Sequence, residues 1–167
     1  MITPEYARTL ARYNTWMNER IFEICSSIPD ADRKKDVGAF FKSIHGTLNH
    51  LMVADSIWMS RFTSRPLPFE FFSLAQELHS DFEELRAARK EMDGAINAWA
   101  EGLMQSVLDS ELAYMSVVNP APRRIAMALA VTHFFNHQTH HRGQITTLLM
   151  QRGIDPGATD LMWLPAS

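Results

Sequence analysis

The stretch His133-Phe-Phe-Asn-His137-Gln-Thr-His140-His141-Arg-Gly-Gln144 gathers four of the chain's seven histidines into nine residues. On an α-helix, side chains four positions apart are neighbours on one face. His133 with His137, and His137 with His141, can therefore aim ring nitrogens at a common atom about 2 Å from each, the length of a metal–imidazole bond. The pattern around the stretch predicts a helix from about Ile125 to Gln151, stopped by Gly153. A chain with this histidine content shows about 0.3 such pairs by chance, so a single pair is weak evidence. Two overlapping pairs are stronger. The competing reading is a helix whose histidines are half-buried, hydrogen-bonded or solvated.

Three more helices precede this one. Thr3, Pro4 and Glu5 read as an N-cap, a first-turn proline and an acid that complements the helix dipole. Tyr6, Leu10, Tyr13, Met17, Ile21 and Ile24 then recur at spacings of three and four, up to Pro29-Asp30. A polar connection through Asp36-Val37-Gly38 leads to a second stripe of Phe41, Ile44, Leu48, Leu51, Trp58 and Phe62, ended before Pro66 and Pro68. Ser73 and Gln76 form a capping-box pattern for a third helix. Its stripe is Leu78, Phe82, Leu85, Met92, Ile96, Trp99 and Leu103. Between Leu108 and Ala126, Leu112, Tyr114, Ser116 and Val117 suit a short extended segment and Asn119 to Pro122 a turn, so a small hairpin is expected. The apolar Leu161 to Leu164 is expected to pack back on the helices. Four long amphipathic helices without an internal repeat or linker predict an all-α, antiparallel four-helix bundle, residues 1–167 forming one domain.

Composition narrows the function. A chain of 167 residues, 46% apolar, can bury about 70% of its unfolded surface. The net charge is −3 and the longest basic run is Arg33-Lys34-Lys35, which argues against nucleic acid as a partner. The single cysteine, Cys25, sits in an apolar helical pattern and reads as a core residue. The opening residues do not form a signal peptide, and no apolar run approaches the ~20 residues of a membrane span, so a cytoplasmic protein is expected.

A third ligand would have to come from elsewhere. His45 and His50 on the second helix and His79 near the third are the candidates, and periodicity does not choose well among them. His50 falls beside Gly46, Val53, Ala54 and Ile57, a small-residue face that favours it modestly. Asp55 lies in the apolar stripe between Leu51 and Trp58, where a carboxylate is costly unless paired. It is either one half of a buried pair or an acceptor for a ligand imidazole. Gly143 is expected to allow close helix contact, and Gln144 to hydrogen-bond within the helices or near the metal.

The sequence resembles the DinB/YfiT-like family of damage-inducible metalloenzymes. Leu10 to Trp16 (LARYNTW), His45 to Phe62 (HGTLNHLMVADSIWMSRF), Phe135 to Ile145 (FNHQTHHRGQI) and Asp155 to Trp163 (DPGATDLMW) carry the resemblance, in order and over nearly the whole chain. It implies one histidine on the second helix and HxxxH on the last, which fall on His50, His137 and His141. His45, His133 and His140 are then packing or hydrogen-bonding residues near the site.

Three histidine ligands leave a coordination position open, the signature of a catalytic or ligand-binding centre rather than a structural one. Zinc is the first expectation for the divalent ion and nickel the second. Gln138 occupies the position of the glutamate in HExxH proteases and cannot take a proton, so that chemistry is disfavoured. The resemblance implies instead activation of a low-molecular-weight thiol in an S-transferase or isomerase reaction. A metal-dependent hydrolase and a non-catalytic, metal-binding stress-response module are the alternatives. A small-molecule substrate and a homodimer are expected.

Overall fold

The structure is a computed structural model and describes residues 2–166. Four long helices dominate it: α1 (Pro4–Ser26), α3 (Ile44–Thr63), α4 (Phe82–Glu101) and α6 (Met127–Met150). Two short helices, α2 (Asp30–Lys34) and α5 (Gln105–Leu108), lie in the connections. A hairpin of β1 (Glu111–Met115) and β2 (Pro122–Ala126) pairs antiparallel with Tyr114 opposite Arg123. Helix α1 packs on α4 and α6, and α3 packs on the same two. Among the described residues no helix is long and apolar enough to cross a membrane.

The helix starts follow local chemistry. Thr3 caps α1 by accepting from the Tyr6 amide at 3.2 Å, with Pro4 in the first turn as expected. Ser43 caps α3 by accepting from the Gly46 amide at 3.0 Å. The expected capping box at Ser73 and Gln76 belongs to no helix. The Gln76 side chain instead accepts from the Phe72 and Ser73 amides, closing a turn inside the irregular 64–81 segment. Helix α4 starts later, where Asp81 accepts from the Glu84 amide at 2.9 Å, so Leu78 packs on the core from outside the helix. A carboxylate at an N-cap also meets the positive end of the helix dipole, an advantage the hydroxyl of Ser73 lacks.

Burial divides the core into two apolar clusters. One centres on Met17, Ile21, Ile44, Leu48, Leu85 and Leu149, the other on Ala11, Ile96, Ala130, Val131 and Phe134. Burying a side chain of this size contributes about 1.5–3 kcal/mol. Between the clusters each long helix turns polar residues inward: Asn14 and Asn18 from α1, Asp55 from α3, Arg89 and Asp93 from α4, Gln138 and Arg142 from α6, all buried. Arg89 donates to Asp55 at 2.6 Å and pairs with Asp93 at 2.8 Å. Asn14 and Asn18 donate to Asp93, Gln138 donates to Asp55 at 3.1 Å, and Arg142 donates to Asn14. Two carboxylates thus share the Arg89 guanidinium, with that of Arg142 held by Asn14 beside them, which is how buried charge is tolerated.

The end of the chain packs differently from expectation. Met162 and Trp163 are exposed, and only Leu164 of that apolar run joins the core. The tail is instead held by polar contacts to α1: Tyr13 donates to the Thr159 carbonyl and Arg20 to that of Pro156. Gly143 is exposed with open space beside it, so it mediates no close helix contact.

Candidate metal centre

The tight helix position is Gly46. A Cβ there would stand 2.2 Å from the Phe41 carbonyl oxygen, so only glycine lets the turn before α3 close over the helix start. That turn, bridged between Ala39 and Lys42, drops Phe41 onto the site. One helical turn after Gly46 lies His50. Beside it Asn49 ties down the irregular segment that follows α3, accepting from the Leu78 and His79 amides and donating to the His79 carbonyl. The loop so anchored carries the Leu74 carbonyl to the His50 ring. On α6, His137 and His141 stand at the i, i+4 spacing of one face.

These three imidazoles converge. The Nε2 of His50 lies 3.4 Å from that of His137 and 3.1 Å from that of His141, and the last two are 3.1 Å apart. A tetrahedral ion with metal–nitrogen bonds of about 2.0–2.1 Å would set its nitrogens about 3.3–3.4 Å apart, close to this triangle. Proton placement fits as well. His50 Nδ1–H donates to the Leu74 carbonyl at 2.8 Å, and His141 Nδ1–H donates to Gln144 Oε1 at 2.8 Å. In the neutral rings that leaves the lone pair on Nε2, pointing into the triangle. Two lone pairs aimed at one point, with the Nε2 of His137 beside them, suit a cation, and the group could hold a metal ion.

Burial keeps the rings neutral. It pulls His50 down to about 4, opposed by the Leu74 carbonyl and aided by His141. It pulls His137 down to about 3, with His141, His50, His133 and His140 adding repulsion. His141 is lowered by burial too, and Gln144 opposes. Phe41 stacks on His50, ring centroids 3.7 Å apart and planes at 14°, and shields that side from water.

The remaining candidates lie outside the triangle. His45 contacts the His79 carbonyl at 2.9 Å, His133 packs on Trp58, and His140 accepts from the Gln144 amide at 3.2 Å. Asp55 is a member of a buried pair, bound by Arg89 and Gln138 rather than by a ligand ring. Cys25 is buried, its thiol pushed up to about 12 chiefly by burial, and is an inert core residue. The sequence reading missed Leu74, whose contribution is a backbone carbonyl, and Phe41 as a lid on His50. It also missed Arg89 and Asp93, although both interrupt the α4 stripe between Leu85 and Ile96, a detectable signal.

Comparison with known proteins agrees with the resemblance. The chain is 26% identical over 160 residues to Protein DinB of Bacillus subtilis (strain 168), an alignment covering 93% of this chain and 91% of that one. The model of the DinB family matches residues 1–167. A match over the entire length, with the three histidines brought together where the family pattern falls, places the chain in the DinB family.

Proposed function

We propose that this chain is a single antiparallel four-helix bundle that holds one divalent metal ion, zinc first and nickel second, through His50, His137 and His141. The observation that carries the reading is the triangle of Nε2 atoms at 3.1–3.4 Å, with Nδ1 of His50 and His141 each engaged by an oxygen. Bound there, the metal would acidify a small thiol and hold it for transfer to an electrophile. The Leu74 carbonyl and Gln144 orient two of the rings and keep their Nε2 lone pairs free. Phe41 excludes water from the His50 side. His137 is only half-buried and marks the side from which a substrate would enter.

Hydrolysis is supported less well. A metal-activated water needs a nearby group to take its proton. Gln138 cannot act as a base, and the Asp55 carboxylate beside it is engaged by Arg89. The thiol reaction needs no such base, which favours an S-transferase-like activity on a low-molecular-weight thiol. The same reading includes a cytoplasmic, homodimeric protein acting on small molecules, neither nucleic acid nor membrane.

The test is metal content by elemental mass spectrometry on protein purified without a nickel column. Parent protein should carry about one equivalent, and His50→Ala, His137→Ala and His141→Ala should each carry almost none while remaining folded. A parent that takes up no zinc on addition would sink the metal centre.

A further inference from the structure

About three helical turns beyond His50 along α3 lies a second group of chemistry-bearing side chains. The Arg61 guanidinium rests over Trp58, 4.5 Å from the ring centroid, and over Tyr114, 4.2 Å away. Among the described residues Arg61 makes no hydrogen bond and no ion pair, whereas the buried arginines Arg33, Arg89 and Arg142 all donate to oxygens. Stacking covers the faces of a guanidinium and leaves its N–H edge for an oxyanion such as a carboxylate or a phosphate. Arg123 is the register partner of Tyr114 and so shares its face of the hairpin, exposed and, among the described residues, without a side-chain partner. The hairpin's one acid, Glu111, lies on the opposite face with Arg124 at 3.7 Å. The half-buried Arg61 is lowered by desolvation, with Tyr114 opposing, which agrees with a cation that has no carboxylate nearby among the described residues.

This group is connected to the three-histidine centre. Arg61 follows His50 by eleven residues, which brings it to the same face of α3 about 16 Å further along. Between them His133 packs on Trp58 (ring centroids 5.1 Å) and on His137 (5.8 Å), so the two groups share one run of side chains. We propose that Arg61 and Arg123, backed by Trp58 and Tyr114, receive an anionic group of the same small molecule whose other end reaches His50, His137 and His141. The substrate class is then a thiol carrying a carboxylate or a phosphate, extended to about the length of four or five peptide residues. The link to the histidines rests on the metal-centre reading above; the anion site itself does not.

Calorimetric titration separates the two. Metal-free protein is titrated with S-methylglutathione, which has carboxylates and no free thiol, and with inorganic pyrophosphate. One of them should bind, and which one identifies the anion. Arg61→Met should weaken that binding at least tenfold and Arg123→Gln at least threefold, and added salt should weaken it in the parent. Circular dichroism checks that Arg61→Met keeps its fold, and Arg123→Gln, on the surface, gives a second readout if it does not. Neither probe binding, or binding untouched by both substitutions, overturns the anion site. N-acetylcysteamine, an uncharged thiol, should bind zinc-loaded protein alone and ignore both substitutions. If it fails to bind while arginine-dependent anion binding persists, the thiol reading falls and the anion site stands.

Discussion

Two polar groups occupy the interior where α3 meets α6, and they are built on opposite logic. In the layer between the apolar clusters, carboxylates face guanidiniums and amides: Asp55 meets Arg89 and Gln138, and Asp93 meets Arg89, Asn14 and Asn18. Charge there is balanced by this chain's own residues. In the histidine triangle three ring nitrogens face one another, and the N–H groups of His50 and His141 point away to Leu74 and Gln144. The first arrangement pairs its charges without a ligand, although Asp55 Oδ1, Gln138 Oε1 and Arg142 Nε find no hydrogen-bond partner among the described residues; the second asks for a cation. Burial of polar groups therefore separates structure from function only when the partners are counted.

The sharpest way to break this comparison is Arg89→Met. It would leave Asp55 and Asp93 buried without their guanidinium, at an expected cost of about 3–5 kcal/mol in urea unfolding. Zinc uptake per folded molecule should be unchanged, because no triangle residue touches Arg89. Equal loss of stability and metal binding would mean that layer and triangle are one unit. Gln144→Ala probes the other side. Removing the acceptor that fixes the His141 ring should weaken metal affinity about 10- to 100-fold by chelator competition, with a much smaller effect on metal-free stability.

The smallest effect expected is on pH dependence. His50 and His137 titrate below their ordinary 6.5 in the folded protein, at about 4 and about 3. Between those values the unfolded chain binds more protons, so stability falls as pH drops below 6.5 and the loss levels off only near the folded values. Urea midpoints of metal-free parent and His137→Gln at pH 7.5, 6 and 5 check this. The parent should lose more than the variant, and parallel curves would show that His137 is not held neutral by its surroundings.

Helical periodicity made the four long helices legible, because their apolar stripes are long and their breakers are prolines after the first two and glycines after the last two. The hairpin was legible from Asn119 to Pro122 and the short extended pattern before it. Boundaries were less so. Ser73 and Gln76 satisfy a capping pattern in sequence, yet the helix waits for Asp81, since the pattern records hydrogen-bonding capacity and not which turn uses it. For the site, spacing pointed to His133, His137 and His141 alike, a small-residue face favoured His50 over His45 modestly, and the resemblance selected His50, His137 and His141. Their fates diverge through tertiary contacts: His45 turns to the His79 carbonyl and His50 to the triangle. A backbone carbonyl such as that of Leu74 leaves no trace in residue identity, so the rings' orientation could not be read beforehand. Asp55 drew notice as a misplaced carboxylate; its partner Arg89, equally misplaced on α4, completes the explanation.

The close seat of Gly46 also bears on how this chain can vary. Beside Gly94 and Gly143 there is open space, and alanine at either helical position would gain about 1 kcal/mol in helix propensity. At Gly46 even one methyl group meets backbone. Drift in the sequence is thus free to remove two glycines and barred from the third. That residue carries no chemistry of its own, yet backbone sterics alone hold its place in the sequence.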